Sequence, residues 1–363
     1  MGIAIPALMV DLDGRHLSEG LVRSVARLEV RDRDDEASVA TLKFLLSYED
    51  DGGIQPLDHT DLLPGHLLSL TIKAPDHRLI KLFEGRITHL RPHLEGQEGE
   101  GFLEVVAMDV LAEMDLAERP RLWEGTDTDI VHGLFGDYDT FAIVGQSSYQ
   151  HRLDGIVQAQ AGTDAALLRR ICRRNGWTCY VEPQYDGAVV ARCAPRDPEE
   201  AVQPKLVLRG EGACLDWVDL QWNGTRPSKI WASAVDPLEG EVVRGQATHS
   251  DRSFGEVDLL QARHVAFQEP GGMPALGHRL RHGPVAQSRL ETEARAEMDA
   301  ERFMVEARGS LDPERYGRLL RARRPVDLVG LGRRYSGRWW LREVVTELAN
   351  GALHQTFVAE RNA

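Results

Sequence analysis

The sequence predicts a β-rich α+β fold in which two similar β-domains flank an inserted α/β domain. Three observations support this prediction. Hydrophobic and polar residues alternate along both ends of the chain, as in strands that bury one face. The middle of the chain instead shows the helical spacing of apolar residues. A short pattern near residue 85 recurs near residue 337, which indicates an internal duplication.

The first β-domain, residues 1–112, is predicted from alternation and from turns. The segments 40–46 and 68–72 place Leu, Ile, Phe and Ala at every second position, between polar residues. Turn-forming residues separate these segments, as in the Asp50–Gly53 stretch and at Pro64. Short strands joined by such turns favour a sandwich or a barrel.

The inserted domain, residues 113–210, contains the clearest helix of the chain. Thr163 is the predicted N-cap, and Gly176 after Asn175 is the predicted stop. One face of this helix is apolar. Arginines lie near its C-terminal end, where the helix dipole favours positive charge. The apolar positions are Leu167, Leu168, Ile171 and Cys172. A proline-rich stretch, 195–204, is expected to close the insert.

The second β-domain, residues 211–363, resumes the strand pattern and contains a helix near 285–303. Its C-terminal part repeats the first domain at a constant offset of 252 residues. Phe83–Ile87 matches Tyr335–Trp339, with Gly85 and Gly337 as predicted turn residues. Further matches follow without a gap and pair Gly99 with Gly351, Val106 with Val358 and Ala107 with Ala359. We interpret the match as a duplication, although antiparallel hairpins also resemble one another.

Charge, apolar runs and cysteine content argue against several classes of protein. The 363 residues carry a net charge of −14, which disfavours stable nucleic-acid binding and electrostatic attachment to anionic lipid. No apolar run reaches the roughly 20 residues needed to span a bilayer, so no membrane anchor is expected. The short apolar N-terminus lacks a basic flank, and four cysteines are too few for a disulfide framework. We therefore expect synthesis and folding in a reducing cytoplasm.

No catalytic, cofactor-binding or metal-binding motif stands out, and none is predicted. The 13 histidines lack the convergent spacing of a zinc site, and no nucleotide-binding glycine loop is present. Two alternatives stay open. The chain could be a β-rich cell-wall or polysaccharide hydrolase that uses a carboxylate pair, since its 57 acidic residues make such a pair easy to form. It could also be a glycan- or receptor-binding module.

One segment differs in charge from the rest of the chain. Residues 302–342 hold eleven arginines and four acidic residues, so this segment carries +7 and the remainder −21. Arginine suits bidentate contacts at interfaces, and a basic face could bind an acidic surface of another copy. A solvated basic face is the simpler explanation. The predicted interface residues are Arg318, Arg321, Arg323, Arg324, Arg333 and Arg334.

Two blocks carry a resemblance to a known family. The helix Thr163–Trp177 resembles the T-D-x-x-x-L-x-R-x-x-x-x-x-G-aromatic helix of phage tail hub proteins. The block Val326–Trp339, followed by the final strand Gln355–Arg361, resembles their last hairpin. The chain is therefore similar to the late control protein D family, to the T4 baseplate hub and to the N-terminal part of VgrG proteins of type VI secretion.

This resemblance implies two tandem tube-type β-barrels and a structural, non-enzymatic role. Three copies would form a ring that adapts a six-fold tail tube to a three-fold spike in a contractile tail or injection system. The implied partners are two further copies of the chain, the tail tube protein, other baseplate components and a spike protein. VgrG chains continue into a spike after the second barrel, whereas this sequence ends at Ala363, so the spike is expected on a separate chain.

Overall fold

The computed structural model describes most of the chain. The described residues are 8–59, 61–96, 101–152, 157–184, 188–248, 254, 277–281 and 283–362. Within them, no helix is long and apolar enough to cross a membrane. Strands dominate both ends, as the alternation predicts, and the middle part contains three helices, while the longest helix lies in the C-terminal part.

The N-terminal part is a series of antiparallel strands with one short helix. Its strands are β1 (Leu8–Leu12), β2 (Arg15–His16), β3 (Val25–Arg33), β4 (Val39–Leu45), β5 (Ser47–Tyr48), β6 (Ile54–Gln55), β7 (Leu67–Lys73), β8 (Leu79–His93) and β9 (Phe102–Met108). Helix α1 is Glu19–Arg23. Side chains alternate between the core and the surface along β4 and β7, because successive residues of a strand point to opposite faces.

The middle part mixes helices with short strands. Its helices are α2 (Val110–Glu113), α3 (Asp127–Gly136) and α4 (Asp164–Asn175). Its strands are β10 (Arg121–Trp123), β11 (Gly125–Thr126), β12 (Phe141–Val144), β13 (Gln150–His151), β14 (Gln158–Gln160), β15 (Thr178–Pro183) and β16 (Val189–Ala194). The hydroxyl oxygen of Thr163 accepts the Ala166 N–H at 3.1 Å, and Gly176 ends α4 with φ at +66°. Both cap positions lie where the sequence predicts them.

The C-terminal part returns to strands around one long helix. Its strands are β17 (Gln203–Val207), β18 (Leu215–Trp222), β19 (Lys229–Val235), β20 (Val242–Ala247), β21 (Gly277–Arg281), β22 (Val305–Leu311), β23 (Pro325–Val329), β24 (Gly337–Ala349) and β25 (Ala352–Arg361). Its helices are α5 (Gln287–Glu301), α6 (Pro313–Tyr316) and α7 (Gly332–Tyr335). Helix α5 corresponds to the helix predicted near 285–303.

Both ends of the chain share one strand order. The large sheet runs β18-β22-β25-β24-β3-β4-β9-β8-β7-β1-β2, and β23 also pairs with β24. The order β3-β4-β9-β8-β7 is therefore repeated as β18-β22-β25-β24-β23. Two bulges recur at equivalent places: Ala26 in β3 matches Asp216 in β18, and Thr88 in β8 matches Arg342 in β24. This correspondence is what an internal duplication predicts.

The gap-free alignment of the two ends is wrong by two residues in one strand. Arg86 lies opposite Met108, whereas Trp340 lies opposite Glu360, so the offset is 254 in β8 and 252 in β9. The register partner of Gly85 is therefore Trp339. The connection from β8 to β9 is two residues longer than its counterpart, which shifts the strand. Gly99, which the alignment matched with Gly351, lies outside the described residues.

Gly85 is not a turn residue, as the sequence suggested, but lies inside β8 opposite Leu68. A Cβ atom at this position would lie 2.2 Å from the carbonyl oxygen of Met108. Close approach of the neighbouring backbone therefore explains the glycine. Gly337 does mark a change of direction, since it opens β24 after α7 with φ at +129°.

Gly85→Ala should destabilise the protein because the added methyl group overlaps a backbone atom that cannot move aside cheaply. We expect a loss of about 1–3 kcal/mol in the free energy of unfolding, the usual cost of overpacking. Gly96→Ala is the matched control, since a Cβ there meets no atom within 4 Å. Urea denaturation of both variants provides the comparison, and equal stabilities would contradict this account of Gly85.

Three main hydrophobic clusters support this arrangement. The first joins the N-terminal strands around Phe44 and Phe83, and the third fills the middle part around Phe135 and Ile171. The second joins the C-terminal strands around Trp339 and includes Leu206, Leu341 and Phe357. Leu319, Leu348 and Leu353 from the C-terminal part pack into the first cluster. The two similar ends therefore share a sheet and part of a core.

Candidate interface

The arginine-rich segment, residues 302–342, divides into exposed and buried cations. Arg318, Arg333 and Arg334 are exposed, and none of them forms an ion pair with another described residue. The Arg334 guanidinium lies 5.9 Å from the centre of the Trp222 ring at the end of β18. That these three residues lie at an interface stays a prediction, but their charges are available to a second molecule.

Arg323 does not fit that prediction, because its side chain is only 2% exposed. Its guanidinium donates to the Arg33 carbonyl at 2.8 Å, the Val181 carbonyl at 2.9 Å and the Ser38 hydroxyl at 2.7 Å. These acceptors belong to the N-terminal and middle parts. Arg323 therefore connects three parts of one chain. Its fork of N–H donors can satisfy several buried acceptors at once.

Arg324 and Arg321 also bind within the chain. Arg324 donates to both carboxylate oxygens of Glu182, at 2.8 and 3.1 Å. Burial disfavours the ionised carboxylate of Glu182, but Arg324 outweighs this effect and holds its pKa below the ordinary value. Arg321 donates to the Pro183 carbonyl at 3.2 Å and is half-buried. Sequence composition cannot separate these cations from the exposed ones, since their partners lie far away in sequence.

A second junction, centred on Arg196, was not predicted. Its guanidinium donates to Asp34 at 2.9 Å and to Glu360 at 2.8 Å, and thereby joins the three parts of the chain. Burial raises the pKa of Asp34 despite the attraction of Arg196. The indole N–H of Trp340 also donates to Asp34 at 2.6 Å. The sequence offered no signal for this cluster beyond the presence of Arg196 in a proline-rich stretch.

A buried polar network inside the middle part was also missed. The Asp127 carboxylate accepts from Arg174, from His151 at 2.8 Å and from Asn175 at 2.6 Å. Burial works against ionisation, but the hydrogen bonds from His151 and Arg174 lower the pKa of Asp127 far below its ordinary value. The network attaches the start of α3 to the end of α4.

Three of the four cysteines lie close together, which their spacing in the sequence did not suggest. Cys179 on β15 and Cys193 on β16 lie opposite each other and form a disulfide. The sulfur of Cys172 on α4 lies within 4.8 Å of both. A second group, His278 with Glu297 and Glu301, also brings possible ligand atoms together. Both groups juxtapose residues from different elements, which sequence spacing does not reveal.

Asp109 should make the stability of the protein fall as the pH rises from about 4 to 6. Burial raises the pKa of this carboxyl to about 6, despite hydrogen bonds from the Ser38 and Leu111 N–H groups. Because the folded state holds the proton more tightly than the unfolded state, the favourable contribution is complete below pH 4 and is lost through pH 6. Asp109→Asn should remove this slope and gain on the order of 1–3 kcal/mol at pH 7.5.

Denaturation of both proteins between pH 4 and 8 measures this effect. Asp115→Asn is a control of opposite sign, since hydrogen bonds from Thr163 and Arg169 lower the pKa of that exposed carboxyl. A native protein whose pH slope matches that of Asp109→Asn would contradict the assignment.

Several edges of the large sheet have no strand partner among the described residues, and two of them lie at equivalent places in the repeat. One is the outer edge of β18, at the end of the sheet. The other is the edge of β8 from His89 to His93, where β9 occupies only one side. Trp217 and Leu220 on β18 are 46% and 37% exposed, although they lie in a strand. Exposed edges of this kind are ready to pair with another chain.

The fold is shared with tail proteins of bacteriophages. A 43 kDa tail protein of prophage MuSo2 from Shewanella oneidensis superposes with a TM-score of 0.70 at 11% identity, over 98% of both chains. A tail protein from Neisseria meningitidis gives 0.67 at 13% identity, over 98% of this chain and 96% of that one. No family model and no curated protein sequence matches the chain.

A third similar structure belongs to a secretion system. It is an Escherichia coli component of the type VI secretion system, described as structurally similar to the T4 bacteriophage tail proteins gp27 and gp5. Its TM-score is 0.58 at 13% identity, over 98% of this chain and 77% of that one. The resemblance to the tail hub family is thus confirmed at the level of the fold.

Proposed function

We propose that the protein is a structural hub of a phage tail or a related injection machine, in which three copies form a ring. The observation that carries this proposal is the repeated strand order within a chain that has the fold of tail proteins over almost its whole length. Two similar units per chain give three copies six similar units. Such a ring matches a six-fold tube on one side and a three-fold spike on the other.

The proposal divides the chain into two tube-type β-barrels around an inserted domain, near residues 1–112, 113–210 and 211–363. The three main hydrophobic clusters support this division. The boundary after the insert is better placed before β17, because β17 pairs with β23 and Leu206 packs into the second cluster.

The proposed partners are a spike protein, the tail tube protein and other baseplate components. Charge supports such contacts, since the exposed Arg318, Arg333 and Arg334 belong to a +7 segment in a chain of net charge −14. Complementary charges steer association and suppress wrong partners. We propose that these three arginines contact an acidic surface of a neighbouring copy or partner.

Native mass spectrometry at low and moderate salt tests the ring. We expect a species near three times 40.5 kDa. Arg333→Glu with Arg334→Glu should weaken the trimer and change its salt dependence, while Arg78→Glu on an exposed turn should leave both unchanged. A monomer at every protein concentration would contradict the ring, and hydrolysis of peptidoglycan by the purified chain would favour an enzyme instead.

A further inference from the structure

The pairing between β24 and β3 is a contact between the two similar halves of the chain. Glu343 to Ala349 lies antiparallel to Arg33 to Arg27, in continuous register. One face of this seam is buried and includes Leu28, Val30 and Leu348. The other face carries ion pairs, such as Arg27 with Glu347 at 3.0 Å. This seam shows how one half of the chain joins the other.

The outer edge of β18 and the edge of β8 from His89 to His93 are the repeat counterparts of this seam. Strand β8 occupies the position of β24, and β18 occupies the position of β3, with matching bulges in both pairs. In β24 and β3 the two edges are joined within one chain. In β8 and β18 the equivalent edges lie seven strands apart in the order of the sheet and do not pair with each other.

We propose that β8 of one copy pairs antiparallel with β18 of the next copy, with His89–His93 opposite Asn223–Asp219. This inference rests on the proposed ring and names its subunit contact. The register follows from the seam within the chain. Residues of β8 correspond to residues of β24 that are numbered 254 higher, and residues of β3 correspond to residues of β18 that are numbered 190 higher. The pair Glu343 and Arg33 therefore corresponds to His89 and Asn223. Leu90 then lies opposite Trp222, Pro92 opposite Leu220 and His93 opposite Asp219.

The side chains that would meet are chemically complementary. On one face the half-buried Leu90 and Trp222 and the exposed Leu220 would cover one another, as Leu28 and Leu348 do in the seam within the chain. On the other face His93 would lie opposite Asp219, and Arg91, opposite Gln221, would lie diagonal to Asp219. Within the chain Arg91 pairs with Glu104 and His93 with Glu95. Opposite charges across strands favour pairing. Pro92 has no N–H and removes at most one hydrogen bond from the ladder.

The contact is heterologous, because it uses different edges of the same chain. A heterologous contact closes into a ring when its rotation returns to the start and otherwise forms an open filament. If the intermolecular seam repeats the geometry of the seam within the chain, three copies provide three seams of each kind. Six similar seams are what a ring of six similar halves requires.

A disulfide between His93→Cys and Asp219→Cys tests the register. Under mild oxidation the double variant should give covalent dimers and trimers on a non-reducing gel. His93→Cys with Asn223→Cys is the register control, since the second site is displaced by four residues, about 13 Å along a strand, and should not crosslink. The single variants control for the native thiols Cys172 and Cys214.

The crosslink and the native mass separate the two proposals. A trimer that does not crosslink overturns the seam and leaves the ring. Crosslinked chains that never close into trimers support the seam and overturn the ring. If neither a trimer nor a crosslink forms, both the ring and the seam are overturned. Glu29→Cys with Glu347→Cys, opposite each other in the seam within the chain, is a positive control for oxidation.

Leu220→Asp provides a test that does not depend on disulfide geometry. Its exposed side chain should leave the monomer folded, while burying a carboxylate in the seam should weaken the trimer at least tenfold. Leu122→Asp on β10 is the matched control, since Leu122 is 61% exposed and lies in the middle part. Equal trimer affinities for the two variants would overturn the seam.

Discussion

Arg196→Met should lower the free energy of unfolding by about 3–5 kcal/mol. The substitution leaves the Asp34 carboxylate buried without its cation, while Glu360 keeps only Arg342. Removing one member of a buried charge cluster is costly because the remaining charges stay desolvated. The loss should be larger above pH 7 than at pH 4, where protonation relieves the raised-pKa carboxyl of Asp34.

Urea denaturation at both pH values measures this effect. Arg308→Met is the control, since Arg308 pairs with Glu306 at 2.7 Å but is largely exposed. Exposed pairs contribute at most about 1 kcal/mol. If both variants lose the same small amount, the Arg196 junction does not hold the three parts of the chain together.

Arg323→Met should cost a similar amount, about 3–5 kcal/mol, for a different reason. The carbonyls of Arg33 and Val181 and the hydroxyl of Ser38 would lose their donors in a buried place. Each unsatisfied buried group costs roughly 1–3 kcal/mol. Because these acceptors lie in two other parts of the chain, the variant should also expose the middle part to limited proteolysis.

Arg318→Met separates this effect from a general loss of charge. Arg318 belongs to the same basic segment but is exposed, and substitutions at such sites stay within about 0.5 kcal/mol. Arg318 should instead influence association. A trimer that is weakened by Arg323→Met without any loss of monomer stability would show that Arg323 acts at the subunit interface after all.

The two junctions also bear on the proposed ring. Arg196 and Arg323 hold both similar halves and the middle part in one arrangement. The edges of β8 and β18 depend on that arrangement, because the seam needs both edges presented with the correct spacing. We therefore expect that a variant at either junction weakens trimer formation as well as folding, and that Leu220→Asp affects only the trimer.

Local signals were sufficient for much of the fold. Alternation predicted the strands of both ends, because a strand with one buried face must place apolar residues at every second position. Helix α4 was predicted with both ends, since Thr163 and Gly176 satisfy the helix termini by contacts within a few residues. The repeat was detectable because the last strands of the two ends, β9 and β25, share residues at a constant offset, Val106 with Val358 and Ala107 with Ala359.

The tertiary structure decided the features whose partners are far apart in sequence. The register of β8 depends on the length of its connection to β9, so a gap-free comparison placed Gly85 two residues from its true counterpart. The basic segment was visible from composition, but which of its arginines are exposed and which are buried was not. Arg323 is buried because acceptors some 140 and 290 residues away surround it, whereas Arg318 meets none of them. Periodicity and capping act over a few residues and are therefore legible in a sequence, whereas edge pairing and the burial of a charge depend on which distant segments the fold brings together.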